Sequence, residues 1–142
     1  MKPIVVVDSS VWAKCFLRGE ALEEQALGLV DRYTAGELQL IVPDLFWPEF
    51  ANVLWKAVRQ GRCSHESALA SISAMQKYDP LTLASRSVIS DAFAIATRFQ
   101  RSVCDSIYVA LAVSLKTDVV TADERLANAL ATYLPVKWLG VM

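Results

Sequence analysis

The chain has little with which to build several familiar kinds of protein. It holds a single histidine, His65, so a His-rich zinc site is excluded. Its three cysteines, Cys15, Cys63 and Cys104, are odd in number and form no C-x-x-C pair. Neither a disulfide framework nor a thiolate zinc cluster fits that pattern, and reduced thiols in a cytoplasmic protein are expected. Charge of one sign is also missing: 14 Lys and Arg stand against 15 Asp and Glu, a net of -1. Nucleic-acid binding through a broad basic face is therefore not expected, although an enzyme with a local cationic patch and a metal ion remains open. The longest early apolar run, Ile4-Val5-Val6-Val7, is far too short for a signal core or a membrane span. No GxGxxG or P-loop occurs, which argues against a nucleotide-cofactor enzyme.

What the chain does have is apolar residues, 54% of its 142 positions, in a length suited to one domain. That share exceeds the interior a small monomer has to fill, and a buried partner surface is one reading of it. An Ala- and Leu-rich helical protein is the other.

Periodicity divides the chain into alternating strands and helices. Ile4 to Val7 is a β-branched run expected to be a buried strand, stopped by Asp8-Ser9-Ser10. Ser9 or Ser10 is placed to cap a short helix to about Leu17, and a second helix spans about Leu22 to Ala35. Leu40-Ile41-Val42 is a second strand; Asp44 then opens a helix from about Phe46 to Gln60. Ser64 opens a fourth helix, and Asp79-Pro80 breaks the pattern before a short strand at Leu81 to Leu83. Ser87 and Ser102 are expected to cap two further helices, the second carrying the stripe Cys104, Ile107, Tyr108, Leu111, Ala112 and Leu115. Asp118 to Thr121 is a strand, Asp123 begins a short helix, and Val136 to Val141 is an edge strand. Such alternation predicts a three-layer α/β/α fold with a central parallel sheet over residues 1–142.

Four acids stand out against this frame. Asp8 and Asp123 follow strands directly, where parallel sheets form their sites. Glu49 and Asp105 lie in first helical turns, at the margins of apolar stripes. Carboxylates brought to one edge repel each other unless a cation sits among them, and an all-oxygen donor set suits Mg²⁺ or Mn²⁺ rather than zinc. Each acid also has a structural explanation. Asp8 can cap a helix; Asp123 can be an N-cap or a first-turn acid; Ser102 with Asp105, and Thr121 with Glu124, match capping boxes; Glu49 can complement a helix dipole.

Four sequence blocks resemble the PIN-domain family, and among its members the VapC-type toxins of toxin–antitoxin pairs. They are Ile-Val-Val-Val-Asp8-Ser9-Ser10, Val-Pro43-Asp-Leu-Phe-Trp-Pro-Glu49-Phe-Ala-Asn52, Cys-Asp105-Ser-Ile-Tyr108-Val-Ala-Leu-Ala112 and Val-Val-Thr121-Ala-Asp123-Glu-Arg-Leu126. Cys104 departs from the family, many of whose members carry Tyr before the third acid. The resemblance implies a Mg²⁺- or Mn²⁺-dependent endoribonuclease with Asp8, Glu49, Asp105 and Asp123 as catalytic acids. Asp8, Asp105 and Asp123 would be metal ligands. Ser9 and Thr121 would orient the carboxylates or metal-bound waters by hydrogen bonds. Lys14 would contact phosphate, with Arg86, Arg98 and Arg101 as weaker guides for the RNA backbone. A homodimer and a cognate antitoxin protein are implied as well. The competing readings are a non-catalytic interaction module whose acids are all caps, and an Asp-based phosphatase-like hydrolase using Asp8 as nucleophile. Haloacid-dehalogenase chemistry wants a second Asp at position 10, which is Ser.

Overall fold

A computed structural model describes residues 2–142. Five strands form one sheet: β1 (Ile4–Val7), β2 (Gln39–Pro43), β3 (Leu81–Leu83), β4 (Val119–Thr121) and β5 (Val136–Trp138). Their order is β3-β2-β1-β4-β5, and every neighbouring pair is parallel. Seven helices connect them: α1 (Ser9–Lys14), α2 (Glu23–Thr34), α3 (Phe46–Arg59), α4 (His65–Tyr78), α5 (Ile89–Phe99), α6 (Val103–Ser114) and α7 (Glu124–Leu130).

The order of strands fixes where the helices go. From β1 the chain steps outward through β2 to β3, then returns across the sheet to β4 and continues to β5. Right-handed crossovers put α1 to α4 over one face and α5 to α7 over the other. The packing agrees, with α1 resting on α2 and α3, α3 on α4, and α5 on α6. The expected three-layer fold is therefore present. Covering both faces explains why β1 and β2 are runs of Val, Leu and Ile rather than alternating patterns. On one side the core is aromatic: Phe46 stacks on Phe50, and Trp12 meets Phe46, Tyr33 and Tyr78 edge-on or tilted. On the other side α6 is buried continuously from Ser106 to Ala112, pressed between α5 and the sheet.

Several local expectations are corrected. Ser87 does not cap a helix; it lies inside a 3₁₀ turn, Ser85–Val88, where its hydroxyl donates to Ala84 O (2.7 Å), and α5 begins after it without a side-chain cap. Asp44 caps no helix either, because its carboxylate accepts from Ser85 N (3.0 Å) and ties the end of β2 to that turn. The last strand stops at Trp138 instead of reaching Val141. There the backbone folds over the Trp138 indole at Gly140, and a Cβ at that glycine would collide with the ring. Ser102 does cap α6, accepting from Asp105 N at 3.0 Å, and Ser64 caps α4.

Candidate active site

The order in which strands are added reverses between β1 and β4, and ligand sites in open parallel sheets form beyond the carboxyl ends of the strands at such a point. Register brings the two strands level there. Val6 pairs with Val119 and Val7 with Val120, so the next residues, Asp8 and Thr121, face each other across the seam. Asp8 N donates to Val120 O (3.0 Å), and Thr121 Oγ1 donates to Asp8 Oδ2 at 2.8 Å.

Asp8 is held from three directions. Its Oδ2 also accepts from Ser10 Oγ (3.1 Å), and its Oδ1 accepts from Ser9 Oγ (3.3 Å). Ser10 Oγ takes the Ala122 N–H (3.1 Å), so the loops after β1 and β4 are joined by side-chain bonds as well as backbone ones. Burial pushes the Asp8 carboxyl above its ordinary value. The bonds from Thr121 and Ser10 work against that rise, and the nearby Asp105 charge adds to it.

Glu49 reaches the same pocket from α3. Its Oε1 accepts from Tyr108 Oη at 2.7 Å and from Ser9 Oγ at 3.5 Å. Burial again lifts the carboxyl, the Tyr108 bond opposes it, and the charges of Asp8 and Asp105 raise it further. Asp8, Glu49 and Asp105 thus share one electrostatic neighbourhood. Asp105 stands in the first turn of α6, its backbone N–H fixed by Ser102.

Asp123 is linked to this group through Thr121. Its N–H donates to Thr121 Oγ1 (3.1 Å), while its own Oδ1 caps α7 by accepting from Leu126 N (3.2 Å). That cap replaces the Thr121–Glu124 box, since the Thr121 hydroxyl is buried and turned to Asp8. Among the described residues, no three Asp, Glu, His or Cys side chains stand close enough to hold a metal ion between them. The acids are linked by hydrogen bonds through Ser9 and Thr121 and by mutual charge, without closing into a preformed metal cage.

The chemistry of the donors nevertheless fits a hard cation. All are carboxylate oxygens. Among the described residues none of Asp8, Glu49, Asp105 and Asp123 is paired with a Lys or Arg. Mg²⁺ takes only one or two carboxylates and completes its shell with water and phosphate oxygens.

The Lys14 ammonium is 3.3 Å from Glu20, which also takes Arg62 at 2.6 Å. Two further groups of the site were not singled out as site residues from the sequence. Ser10 was visible as the second hydroxyl after Asp8. Tyr108 counted as part of the α6 apolar stripe, yet it lies three residues after Asp105, on the same side of the helix.

With this geometry in view, comparison with known proteins identifies the class. The model of the PIN domain matches residues 5–130, and the chain belongs to the PIN-domain family. Within it, the chain is similar to Ribonuclease VapC3 of Pyrobaculum aerophilum, 31% identical over 126 residues that span 87% of this chain and 92% of that protein. Solved structures share the fold at lower identity. PAE2754 of Pyrobaculum aerophilum superposes with a TM-score of 0.71 at 20% identity, over 98% of this chain and 85% of that one. Mycobacterium tuberculosis VapC20, described as a sarcin-ricin loop cleaving toxin, gives 0.65 at 20%, over 89% and 95%. A toxin–antitoxin complex from Klebsiella pneumoniae gives 0.59 at 16%, over 94% and 95%.

Proposed function

We propose that this PIN-domain protein is an endoribonuclease, the toxin of a toxin–antitoxin pair, acting in the cytoplasm with Mg²⁺ or Mn²⁺. The observation that carries the reading is the gathering of Asp8, Glu49 and Asp105 at the β1–β4 switch point, where the Asp105 charge raises the proton affinity of Asp8, both charges raise that of Glu49, and no Lys or Arg among the described residues pairs with them. Membership of the family and likeness to a VapC ribonuclease support it. Among the described residues no helix is long and apolar enough to cross a membrane.

In this reading one or two carboxylates at a time from the set Asp8, Asp105 and Asp123 would hold the metal, with Glu49 beside them. When bound, the ion lowers the pKa of a water and neutralises charge on the phosphodiester. The chain's own groups set the stage for in-line hydrolysis. Thr121 and Ser10 hold Asp8 by Oδ2, and Ser9 spans Asp8 and Glu49. The raised affinity of Glu49 for protons suits it to take one from the attacking water. Lys14 would meet the RNA backbone only on leaving Glu20.

Partners follow from exposed apolar surface. A groove between α3 and α4, lined by Leu54, Trp55, Val58, Leu69 and Ile72, is open to an amphipathic antitoxin helix. Ile89 and Phe93, one turn apart on α5, are 45% and 61% exposed and are assigned to the homodimer contact.

The test is cleavage-site mapping on total RNA treated with purified protein and Mn²⁺, with Asp8→Asn as the control. Discrete new ends made by wild type and absent from the control are expected. Identical ends from both proteins would refute the assignment.

A further inference from the structure

We infer that Tyr108 is a positioning residue that fixes the Glu49 carboxylate, so that the pocket is set by α6 as well as by the loops after β1 and β4. This rests on the metal-nuclease reading and adds to it a group from the buried stripe of α6.

Packing alone does not account for the phenol. Tyr108 is 2% exposed, and a phenylalanine ring would fill the same space. Its hydroxyl donates to Glu49 Oε1 at 2.7 Å, contributed by a helix on the opposite face of the sheet and 59 positions away, with the Ser9 hydroxyl also beside it. A buried hydroxyl without a partner is costly, and here the partner is an acid of the site.

The lengths of the competing contacts decide which group does the holding. Ser9 Oγ has one proton to give and two acceptors, Asp8 Oδ1 at 3.3 Å and Glu49 Oε1 at 3.5 Å. Both contacts are long for O–H···O bonds, whose ordinary range ends near about 3.0 Å. The Tyr108 bond is within that range, and bonds to a charged acceptor are the stronger kind. Tyr108 therefore sets where Oε1 lies. Among the described residues Oε2 receives no hydrogen bond, and it is the oxygen left for water or ligand.

The phenol also stays a donor. Burial, with the charges of Asp8 and Glu49, pushes its pKa far up, so it does not ionise beside the acids. A serine or threonine in its place on α6 would be too short to span the layers.

The experiment measures Mn²⁺ affinity directly, by the loss of the free-ion electron paramagnetic resonance signal. It uses wild type, Tyr108→Phe, Glu49→Gln, the double variant and Ser9→Ala. Because the free Oε2 of Glu49 would face the bound ion or its water, Tyr108→Phe should weaken Mn²⁺ binding roughly 10–100-fold, the size of effect typical of groups that orient ligands. Added to Glu49→Gln it should cost nothing more, because the carboxylate it positions is already gone. Ser9→Ala should have the smaller effect. Equal weakening by Tyr108→Phe in both backgrounds, unchanged binding in the single variant, or a larger loss from Ser9→Ala would each overturn the inference. Asp8→Asn separates the two levels of the argument. If wild type binds Mn²⁺ no better than Asp8→Asn, the metal-nuclease reading fails and takes this role with it. If Asp8→Asn abolishes binding while Tyr108→Phe leaves it untouched, the Tyr108 role alone fails.

Discussion

Thr121 and Asp8 lie 113 positions apart, and a single hydroxyl joins them. Thr121 Oγ1 donates to Asp8 Oδ2 at 2.8 Å and accepts from Asp123 N at 3.1 Å. One side chain therefore sets an acid after β1 and the backbone of an acid after β4. Thr121→Val keeps the shape and removes both bonds. It should cost about 1–3 kcal/mol of stability, the penalty for leaving buried polar groups unpaired. Urea denaturation measures this, and the same variant should lose roughly 10–100-fold in RNA cleavage. Wild-type stability and rate in the purified variant would contradict the role.

The acids should oppose folding as they ionise. Asp8 and Glu49 both hold protons above their ordinary values of 3.8 and 4.5. The folded state thus binds protons more tightly than the unfolded chain. Their contribution is favourable below the ordinary values and is lost as pH rises through the raised ones. Metal-free wild type should accordingly lose urea stability relative to Asp8→Asn as pH climbs from about 4 toward neutrality. Parallel pH profiles for the two proteins would show that Asp8 is not shifted.

Ser102 anchors the first turn of the helix that carries Asp105. Its Oγ accepts the Asp105 N–H at 3.0 Å, and α6 is the most deeply buried helix of its layer. Ser102→Ala should cost about 1 kcal/mol, the usual worth of such a cap. The urea midpoint reads the effect, and an unchanged midpoint would mean that water replaces the serine without loss.

The exposed pair on α5 predicts the state of association. Phe93 is 61% exposed and follows Ile89 by one helical turn, an arrangement that monomers of this size rarely leave open. Wild type should elute as a dimer in light-scattering chromatography, and Phe93→Glu should convert it to a folded monomer. A dimer that survives Phe93→Glu would place the contact elsewhere.

Much of the fold was legible because its signals are local. The Ile4–Val7 run, the break at Asp8, and the Ser64 and Ser102 caps each depend on a few neighbouring residues. The strand-end positions of Asp8 and Asp123 followed from the same reading once the sheet was taken as parallel. What could not be read depends on partners distant in sequence. The pairing of Lys14 with Glu20 was not legible because Glu20 lies across a turn, and Arg62 joins that carboxylate from 42 positions away. Asp44 looked like a cap because its partner, Ser85, belongs to a turn 41 positions on. Tyr108 looked apolar because helical periodicity counts its ring and ignores its hydroxyl. Val136 to Val141 looked like a full strand because the fold of the backbone over the Trp138 ring at Gly140, which leaves no room for a Cβ there, is a matter of shape.

Asp105 gives the most direct test of the claim that these acids form one catalytic pocket, since it reaches Asp8 and Glu49 through charge alone. Total RNA is incubated with Mn²⁺ and purified wild type or Asp105→Asn, folding of both is verified by circular dichroism, and the new RNA ends are sequenced. The account predicts discrete ends from wild type and none from Asp105→Asn. Cleavage by the folded variant at the same sites and at a comparable rate would contradict it.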